Sequence, residues 1–286
     1  EDKFRQEYPN TPEEAFLLSG RPFFDNRALA VRRMHAPKPL RVGWFAYGTP
    51  AETGAKPESW SFTETEKGGV RIWQEPEEGV PYVLGGDTAG EGSDCFTAFV
   101  IDNRTGRQVA ELQQRQSEIL YARQIYCLGR YYNDALAAVE VNFSTYPERK
   151  LEEWEYPSLY QRERFDTYAN TMVKAYGWET SGKTRPQALA QLHTVMEESP
   201  ELVVSQWTLG EMVVFVYDAH GKPQAAVGEH DDLVMAAAIT HTARTQQRYT
   251  AEETAGSRKH WTPDMWEDWR RADPETRKYL ERKWAR

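Results

Sequence analysis

Hydrophobic and polar residues alternate most regularly in the middle of the chain. Apolar runs at 82–87, 95–101 and 107–113 are separated by turn residues and predict three successive strands. Residues 117–133 then place their apolar side chains on one helical face, and 135–141 predict a fourth, buried strand. Strands joined by hairpins, followed by a helix and a returning strand, predict an α/β fold in which a mixed β-sheet is flanked by helices.

Weaker patterns predict the remaining elements. They are an edge strand at 68–73, helices at 146–154, 186–198 and 231–247, an apolar segment at 207–217 that begins as a helix, and a short strand at 223–227.

Three regions of the chain differ in pattern. Residues 1–80 show little periodicity beyond a helix start at Thr11, so we expect an N-terminal linker or extension there. Residues 81–247 carry the regular pattern and are expected to form the main domain. Residues 248–286 combine Trp residues with alternating charges and predict a helical or partly disordered tail.

Composition and charge narrow the class of protein. The chain has 286 residues, of which 40% are hydrophobic and 28% are charged, and it holds no apolar run as long as a membrane span. Its net charge of −9 lowers the expected affinity for nucleic acid, because Lys and Arg contacts with phosphates supply most non-specific binding. Cys95 and Cys127 lie in apolar stretches and predict reduced, buried thiols rather than a disulfide.

Acidic residues stand at the ends of three apolar segments that are far apart in sequence. Asp87 ends the first predicted strand, Glu140 ends the fourth, and Asp231 and Asp232 begin the last helix. If the fold brings these acids together, they cannot all remain ionised unless a cation neutralises them. We therefore predict a divalent-metal site and metal-dependent cleavage of phosphodiesters. Taken singly, each acid could instead be a turn residue, a lone charge at a strand end or a helix N-cap.

The chemistry of such a site needs few carboxylates. Hydrolysis with two metal ions places them about 4 Å apart, where they activate water and stabilise the leaving oxygen. Mg²⁺ prefers oxygen ligands and keeps several waters. Asp87, at the end of the predicted central strand, is the expected bridge between the two ions.

Four segments carry a resemblance to a known family. They are Gly85–Asp94, Val139–Asn142, Gly228–Ala236 and Glu7–Phe16. The first three resemble the acidic motifs of the nuclease domain of the large terminase subunit of tailed bacteriophages, and the fourth resembles the segment that joins the motor ATPase to that nuclease. The resemblance covers about residues 1–247 and implies an RNase H-like fold.

Several site residues are implied by this resemblance. Asp87, Glu140 and Asp232 would bind Mg²⁺ or Mn²⁺, with two ions expected, and Asp231 would be an auxiliary acid. Asp94 and Glu229 are further auxiliary candidates.

Two alternative roles are open for each of three further residues. His230 is either a ligand or general acid, or a structural turn residue. Lys183 and Arg185 either contact the DNA or belong to a solvated loop.

The same resemblance implies a role and partners. The chain would be an endonuclease that cuts concatemeric double-stranded viral DNA at the start and end of capsid filling, in the host cytoplasm. An ATPase domain would precede residue 1. The portal protein and the small terminase subunit would be its protein partners, and no membrane would be involved.

Other functions remain open at the level of sequence. Gly177–Thr184 matches G-x-x-x-x-G-K-T, the phosphate-binding loop of nucleotide hydrolases, although the residues before it are too polar for a central strand. A resolvase or transposase with the same fold and a catalytically idle docking module are further alternatives.

Overall fold

The computed structural model describes residues 21–48, 54–88, 95–115, 117–166 and 170–247, and in the tail residues 262–273, 276, 280, 283 and 284. The chain divides into two compact units, Glu1–Gln247 and Arg248–Arg286. Within the described part of the tail, a helix spans Pro263–Arg271. The predicted helix start at Thr11 and the candidate Asp94 lie outside the described residues.

The described strands are β1 (Arg21–Pro22), β2 (Arg41–Ala46), β3 (Ser61–Glu64), β4 (Val70–Ile72), β5 (Tyr82–Asp87), β6 (Phe96–Asp102), β7 (Gln108–Gln114), β8 (Leu136–Val139), β9 (Gln161–Asp166), β10 (Thr171–Tyr176), β11 (Phe215–Tyr217) and β12 (Pro223–Ala225). The described helices of the first unit are α1 (Asn26–Met34), α2 (Glu118–Tyr131), α3 (Tyr146–Glu153), α4 (Thr184–Glu198), α5 (Gln206–Val213) and α6 (Asp232–Ala243), and short 3₁₀ turns lie at Pro200–Leu202 and Arg244–Gln246.

A seven-stranded mixed sheet forms the centre of the first unit. Its strand order is β3-β2-β4-β7-β6-β5-β8. Neighbouring strands are antiparallel except β5 and β8, which pair in parallel after the crossover through α2. The predicted α/β fold with a mixed sheet and flanking helices is confirmed. Two smaller sheets, β1-β11-β12 and the hairpin β9-β10, lie outside this order.

The segment before residue 81 contributes more than the sequence predicted. β2, β3 and β4 all join the main sheet, so the sheet extends across the predicted boundary between linker and domain. The predicted edge position of 68–73 was wrong, because β4 lies between β2 and β7. A strand of three residues is too short for its pattern of apolar and polar residues to show whether it lies at the edge or in the interior of a sheet.

Helices cover both faces of the sheet. Helix α2 packs on one face together with α3, and α6 packs on the other together with α4 and α5. Two adjacent glycines in β5 allow one helix to pack closely against the strand on each face of the sheet. A Cβ atom at Gly85 would lie 2.4 Å from Thr240 Oγ1 of α6, and one at Gly86 would lie 2.3 Å from the Tyr121 hydroxyl of α2. Only glycine permits both contacts.

Helix α6 is buried along nearly its whole length and is held at both ends. Near its start, Thr97 Oγ1 donates to the Asp232 carbonyl oxygen at 2.8 Å. Just after its end, Arg244 donates to Asn103 in the turn between β6 and β7, through Nε to Oδ1 at 3.0 Å and through Nη2 to the carbonyl oxygen at 2.7 Å. The helix is therefore fixed against the two ends of β6.

The apolar segment at 207–217 is divided between two elements. Helix α5 ends at Val213 and strand β11 begins at Phe215. Nearly every residue from 207 to 217 is apolar, so the segment lacks the polar face that would distinguish a helix from a strand. Cys95 and Cys127 are both buried free thiols, as predicted. No helix in the described residues combines the length and the hydrophobicity that a membrane crossing needs.

His241 is a buried histidine on α6. Its ring packs 6.1 Å from the ring of Phe99, and within the described part of the chain neither ring nitrogen has a hydrogen-bond partner. Burial, together with the charge of Arg244, lowers the pKa of His241 to about 3. The folded protein therefore holds this imidazole neutral, whereas the unfolded chain protonates it below its ordinary pKa of about 6.5.

We expect this histidine to make the protein sensitive to acid. Because the folded-state pKa is depressed, stability is lost as the pH falls from about 6.5 towards 3, by about 1.4 kcal/mol for each pH unit. Between pH 7.5 and pH 5 the loss is about 2 kcal/mol, or about 4–8 °C in melting temperature. His241→Gln should show a smaller decrease over this range than wild type, measured by circular dichroism. The exposed His220→Gln is the control, and an equal decrease in wild type and His241→Gln contradicts the prediction.

Candidate metal centre

The register of the parallel strand pair brings Asp87 and Glu140 together. Asp87 is the last residue of β5, and Glu140 directly follows β8. Gly86 pairs with Val139, and the backbone N–H of Glu140 donates to the Gly86 carbonyl oxygen at 2.8 Å. Adjacent strands lie about 4.8 Å apart, so the two carboxylates leave the sheet side by side.

The first turn of α6 reaches the same end of the sheet from the other side of β5. Thr97 on β6 pairs directly with Asp87, and its hydroxyl bonds the backbone of Asp232. Asp87 shares its face of the strand with Gly85, which α6 contacts. The structure therefore gathers Asp87, Glu140 and the Asp231–Asp232 pair at one end of the sheet.

The electrostatics of Asp87 reflect this gathering. Burial raises the pKa of Asp87 well above its ordinary value, and the charge and hydrogen bonding of Glu140 and the charges of Asp232 and Asp231 raise it further. The sign of the shift shows that the negative form of Asp87 is unfavourable beside the other acids. A proton or a cation at this place relieves the repulsion.

Protein donors orient the carboxylates of the centre. The backbone N–H of Cys95 donates to Asp232 Oδ2 at 2.9 Å, and Thr88 Oγ1 donates to Glu140 Oε2 at 3.3 Å. Arg185 Nη2 donates to Asp231 Oδ2 at 2.8 Å. In the described residues, no group of three or more His, Cys, Asp or Glu side chains is arranged to hold a metal ion as it stands. The oxygen-only donor set suits Mg²⁺ or Mn²⁺, and binding requires these side chains to turn towards the ion.

Two further predicted residues, His230 and Arg185, lie beside this cluster. His230 Nδ1 is 3.9 Å from Asp232 Oδ2, which places the imidazole beside the acids. Arg185 also donates through Nη1 to the Pro223 carbonyl oxygen at 2.7 Å, so its guanidinium is fixed at the edge of the centre. Lys183 stands exposed just before α4, and Glu229 is exposed in the loop before α6.

Glu211 on α5 was not predicted from the sequence. Its Oε2 accepts hydrogen bonds from the backbone N–H groups of Leu233 at 2.7 Å and Val234 at 3.3 Å, and so caps the first turn of α6. Burial and the neighbouring Asp232 raise the pKa of Glu211 well above its ordinary value. The signal in the sequence is that Glu211 is the one acid in the apolar segment 207–217.

The Gly177–Thr184 motif does not have the geometry of a phosphate-binding loop. It follows β10, which belongs to the separate hairpin rather than to the main sheet. Trp178 N–H donates to the Val139 carbonyl oxygen at 2.8 Å, so the segment runs along the edge of β8. Thr184 Oγ1 donates to the Glu179 carbonyl oxygen at 2.6 Å. In a phosphate-binding loop the hydroxyl at this position binds Mg²⁺, whereas here it is used in a hydrogen bond within the loop.

Comparisons with known proteins bear on the fold. Neither the models of known protein families nor the curated proteins include a match to this chain. Among solved structures, the large terminase nuclease from thermophilic phage G20c with bound magnesium matches with a TM-score of 0.52 and 14% identity, covering 78% of this chain and 97% of that chain. The same nuclease with bound cobalt matches with a TM-score of 0.51, at the same identity and coverage. This chain therefore has the fold of a large terminase nuclease, as the resemblance implied.

Replacing Asp87 removes one of the mutually repelling charges. We expect Asp87→Asn to melt higher than wild type in EDTA, by about 2–4 °C for each kcal/mol of repulsion relieved. Wild type should gain about 1.4 kcal/mol from Mn²⁺ at ten times its dissociation constant, and Asp87→Asn should gain much less. Differential scanning calorimetry measures both effects.

The matched control for this measurement is Glu198→Gln, which removes an exposed carboxylate at the far end of α4. It should melt like wild type in EDTA and respond equally to Mn²⁺. A lower midpoint for Asp87→Asn in EDTA, or an unchanged response to Mn²⁺, contradicts the assignment of Asp87 to a metal centre.

Proposed function

We propose that this chain is a metal-dependent endonuclease that cuts double-stranded DNA during the packaging of a viral genome. The observation that carries the proposal is the convergence of Asp87, Glu140 and the first turn of α6 at one end of the sheet. The fold supports the proposal, because it is similar to that of a phage terminase nuclease whose structure has been solved with bound magnesium. The proposed reaction is hydrolysis of a phosphodiester by in-line attack of water.

Asp87, Glu140 and Asp232 would hold Mg²⁺ or Mn²⁺, with Asp231 as an auxiliary acid and two ions expected. Divalent ions bound there supply Lewis-acid chemistry, which favours both the attack of water and the departure of the leaving oxygen. The chain's own part is to present three carboxylates from three rigid elements. Asp87 lies between the other two. It is next to Glu140, which directly follows β8, and opposite Thr97, whose hydroxyl donates to the backbone of Asp232.

Residues around the acids would fix the reacting geometry. Cys95 N–H and Thr88 Oγ1 orient the carboxylates of Asp232 and Glu140. The Arg185 guanidinium has five N–H donors, so donors remain for a phosphate after its bonds to Asp231 and the Pro223 carbonyl oxygen. We assign Arg185 to contact with the phosphate backbone.

The remaining predicted residues have more peripheral roles. Lys183, two residues before Arg185, is assigned to a second backbone contact. Glu229 and His230 are auxiliary candidates.

The net charge of −9 argues that the nuclease binds DNA only weakly by itself. Tight binding would come from partners, and for a terminase these are the motor ATPase domain, the portal protein and the small subunit. This setting places the protein in the host cytoplasm during capsid filling. The acidic surface would then limit cleavage to DNA that the packaging complex delivers.

A plasmid-nicking assay with Mn²⁺ tests the proposed activity. We expect wild type to nick and linearise the plasmid, and Asp87→Asn to be slower by at least about 100-fold, which corresponds to about 2.7 kcal/mol of barrier. Glu198→Gln should cleave like wild type. Equal rates for wild type and Asp87→Asn would exclude the metal centre as the active site. A strong preference for branched over linear duplexes would favour a resolvase.

Nucleotide binding separates the proposal from the alternative of a P-loop ATPase. Because the Gly177–Thr184 segment lacks the required strand and uses its Thr hydroxyl internally, we expect no saturable ATP binding by isothermal titration calorimetry. Lys183→Ala should leave this result unchanged. ATP binding by wild type that is lost in Lys183→Ala would support the ATPase instead.

A further inference from the structure

A cavity with a mixed polar and apolar lining lies directly beside the candidate metal centre. Its volume is ≈ 500 Å³, within the usual range of ligand sites. Residues of α1, α5 and the loops after β7 and before α6 line it. Those that matter for its chemistry are Arg33, Arg115, Trp207, Gly210, Glu211 and His230.

The cavity and the metal centre share a wall. Cys95 lines the cavity, and its backbone N–H holds Asp232 Oδ2 at 2.9 Å. Glu211 lines the cavity and caps the first turn of α6, where Asp232 lies. His230 lines it as well and stands 3.9 Å from Asp232 Oδ2. A polymer strand bound at the metal centre could therefore continue into the cavity on this side.

Two arginines from different elements bring positive charge into the cavity. Arg115 follows β7 and is exposed, and its Nε lies 3.4 Å from Cys95 Sγ. Arg33 comes from α1 and reaches over Gly210 on α5, where an added Cβ would lie 3.8 Å from its guanidinium carbon. Guanidinium groups offer several N–H donors to phosphate oxygens, which makes arginine well suited to a phosphodiester.

Trp207 supplies a rigid aromatic surface. The guanidinium carbon of Arg71 lies 4.0 Å from the centroid of its ring, and Arg71 is itself fixed by Glu111, a buried acid 2.8 Å away. The indole is thus held in place while it lines the cavity. Aromatic side chains beside basic groups are a common platform on which proteins bind the bases of a nucleic-acid strand.

Two acidic residues, Glu211 and Glu229, lie in the lining of the cavity and affect which anions it can bind. Glu211 already accepts two backbone hydrogen bonds, and Glu229 adds a further carboxylate at an exposed position. The exposed carboxylate of Glu229 disfavours a compact polyanion such as a nucleoside triphosphate. A DNA strand carries only one charge per nucleotide, and its sugars and bases are neutral.

We infer that this cavity receives one DNA strand beside the scissile phosphate, with Arg33 and Arg115 on backbone phosphates and Trp207 against a sugar or base. The inference rests on the proposed nuclease function and adds to it a second strand-binding region. It also explains why two arginines and an aromatic ring line a cavity that lies outside the acidic cluster.

Filling the cavity tests the inference without removing any charge. Gly210 lies in α5, and its missing side chain leaves the space beside Arg33. Replacing it by Ala, Leu and Phe should weaken binding of a 20-base-pair duplex progressively, reaching about 10-fold for Phe, or about 1.4 kcal/mol. Fluorescence anisotropy in EDTA, in the Asp87→Asn background, measures binding without cleavage. Circular dichroism confirms that each variant is folded.

Removing one charge gives an independent readout. Arg115→Ala should weaken duplex binding about 5-fold at about 0.1 M salt and reduce the slope of log Kd against log salt by about 1, because one phosphate contact is lost. The control is Arg107→Ala, which removes an exposed arginine at the opposite end of β7 and should leave both quantities unchanged.

The outcomes separate this inference from the proposed function. If wild type cleaves plasmid DNA while Gly210→Phe and Arg115→Ala bind the duplex as their parent does, the cavity does not hold the strand, and the nuclease assignment stands. If wild type does not cleave but both variants weaken duplex binding, the strand site stands and the nuclease assignment fails. Equal effects of Arg115→Ala and Arg107→Ala overturn the inference, since they indicate general electrostatics.

Discussion

The parallel pairing of β5 with β8 is the constraint on which the candidate site depends. Every other pair of neighbours in the described main sheet is antiparallel, and an antiparallel partner would bring its starting end, not its final residue, to Asp87. The crossover through α2 permits the parallel arrangement, and Gly86 lets that helix lie close to the strand. Two acids that are 53 positions apart (87 and 140) thereby become neighbours.

Gathering acids in this way costs stability, and the surrounding groups offset part of that cost. Backbone and hydroxyl donors take up the carboxylate oxygens of Asp232 and Glu140, while Arg185 neutralises Asp231. The raised pKa of Asp87 shows that some repulsion remains. A cation would remove this remaining repulsion, so the residues that weaken the metal-free protein would, on the proposed function, give it affinity for a divalent ion.

Sequence patterns predicted the central elements because those elements are long and their apolar runs are clear, as for β5, β6, β7 and α2. They failed where tertiary context decides. The interior position of β4 depends on strands from elsewhere, and the change from α5 to β11 has no polar face to mark it. That the acids of the candidate centre lie close together could be predicted, because they stand at the ends of apolar segments; their role as ligands stays a prediction. Glu211 was not predictable, because its role arises only when α5 approaches the start of α6.

The anchoring of α6 at both ends has a consequence for how the site works. Thr97 fixes the first turn of α6, and Asn103 fixes Arg244, which follows the last turn. A shift of the helix along its axis would therefore break hydrogen bonds at both of its ends. Any adjustment to an incoming ion must therefore come from rotation of a few side chains. In the proposed nuclease, the backbone of the centre would therefore be preorganised, and the reorganisation energy of each turnover would be confined to the carboxylate side chains.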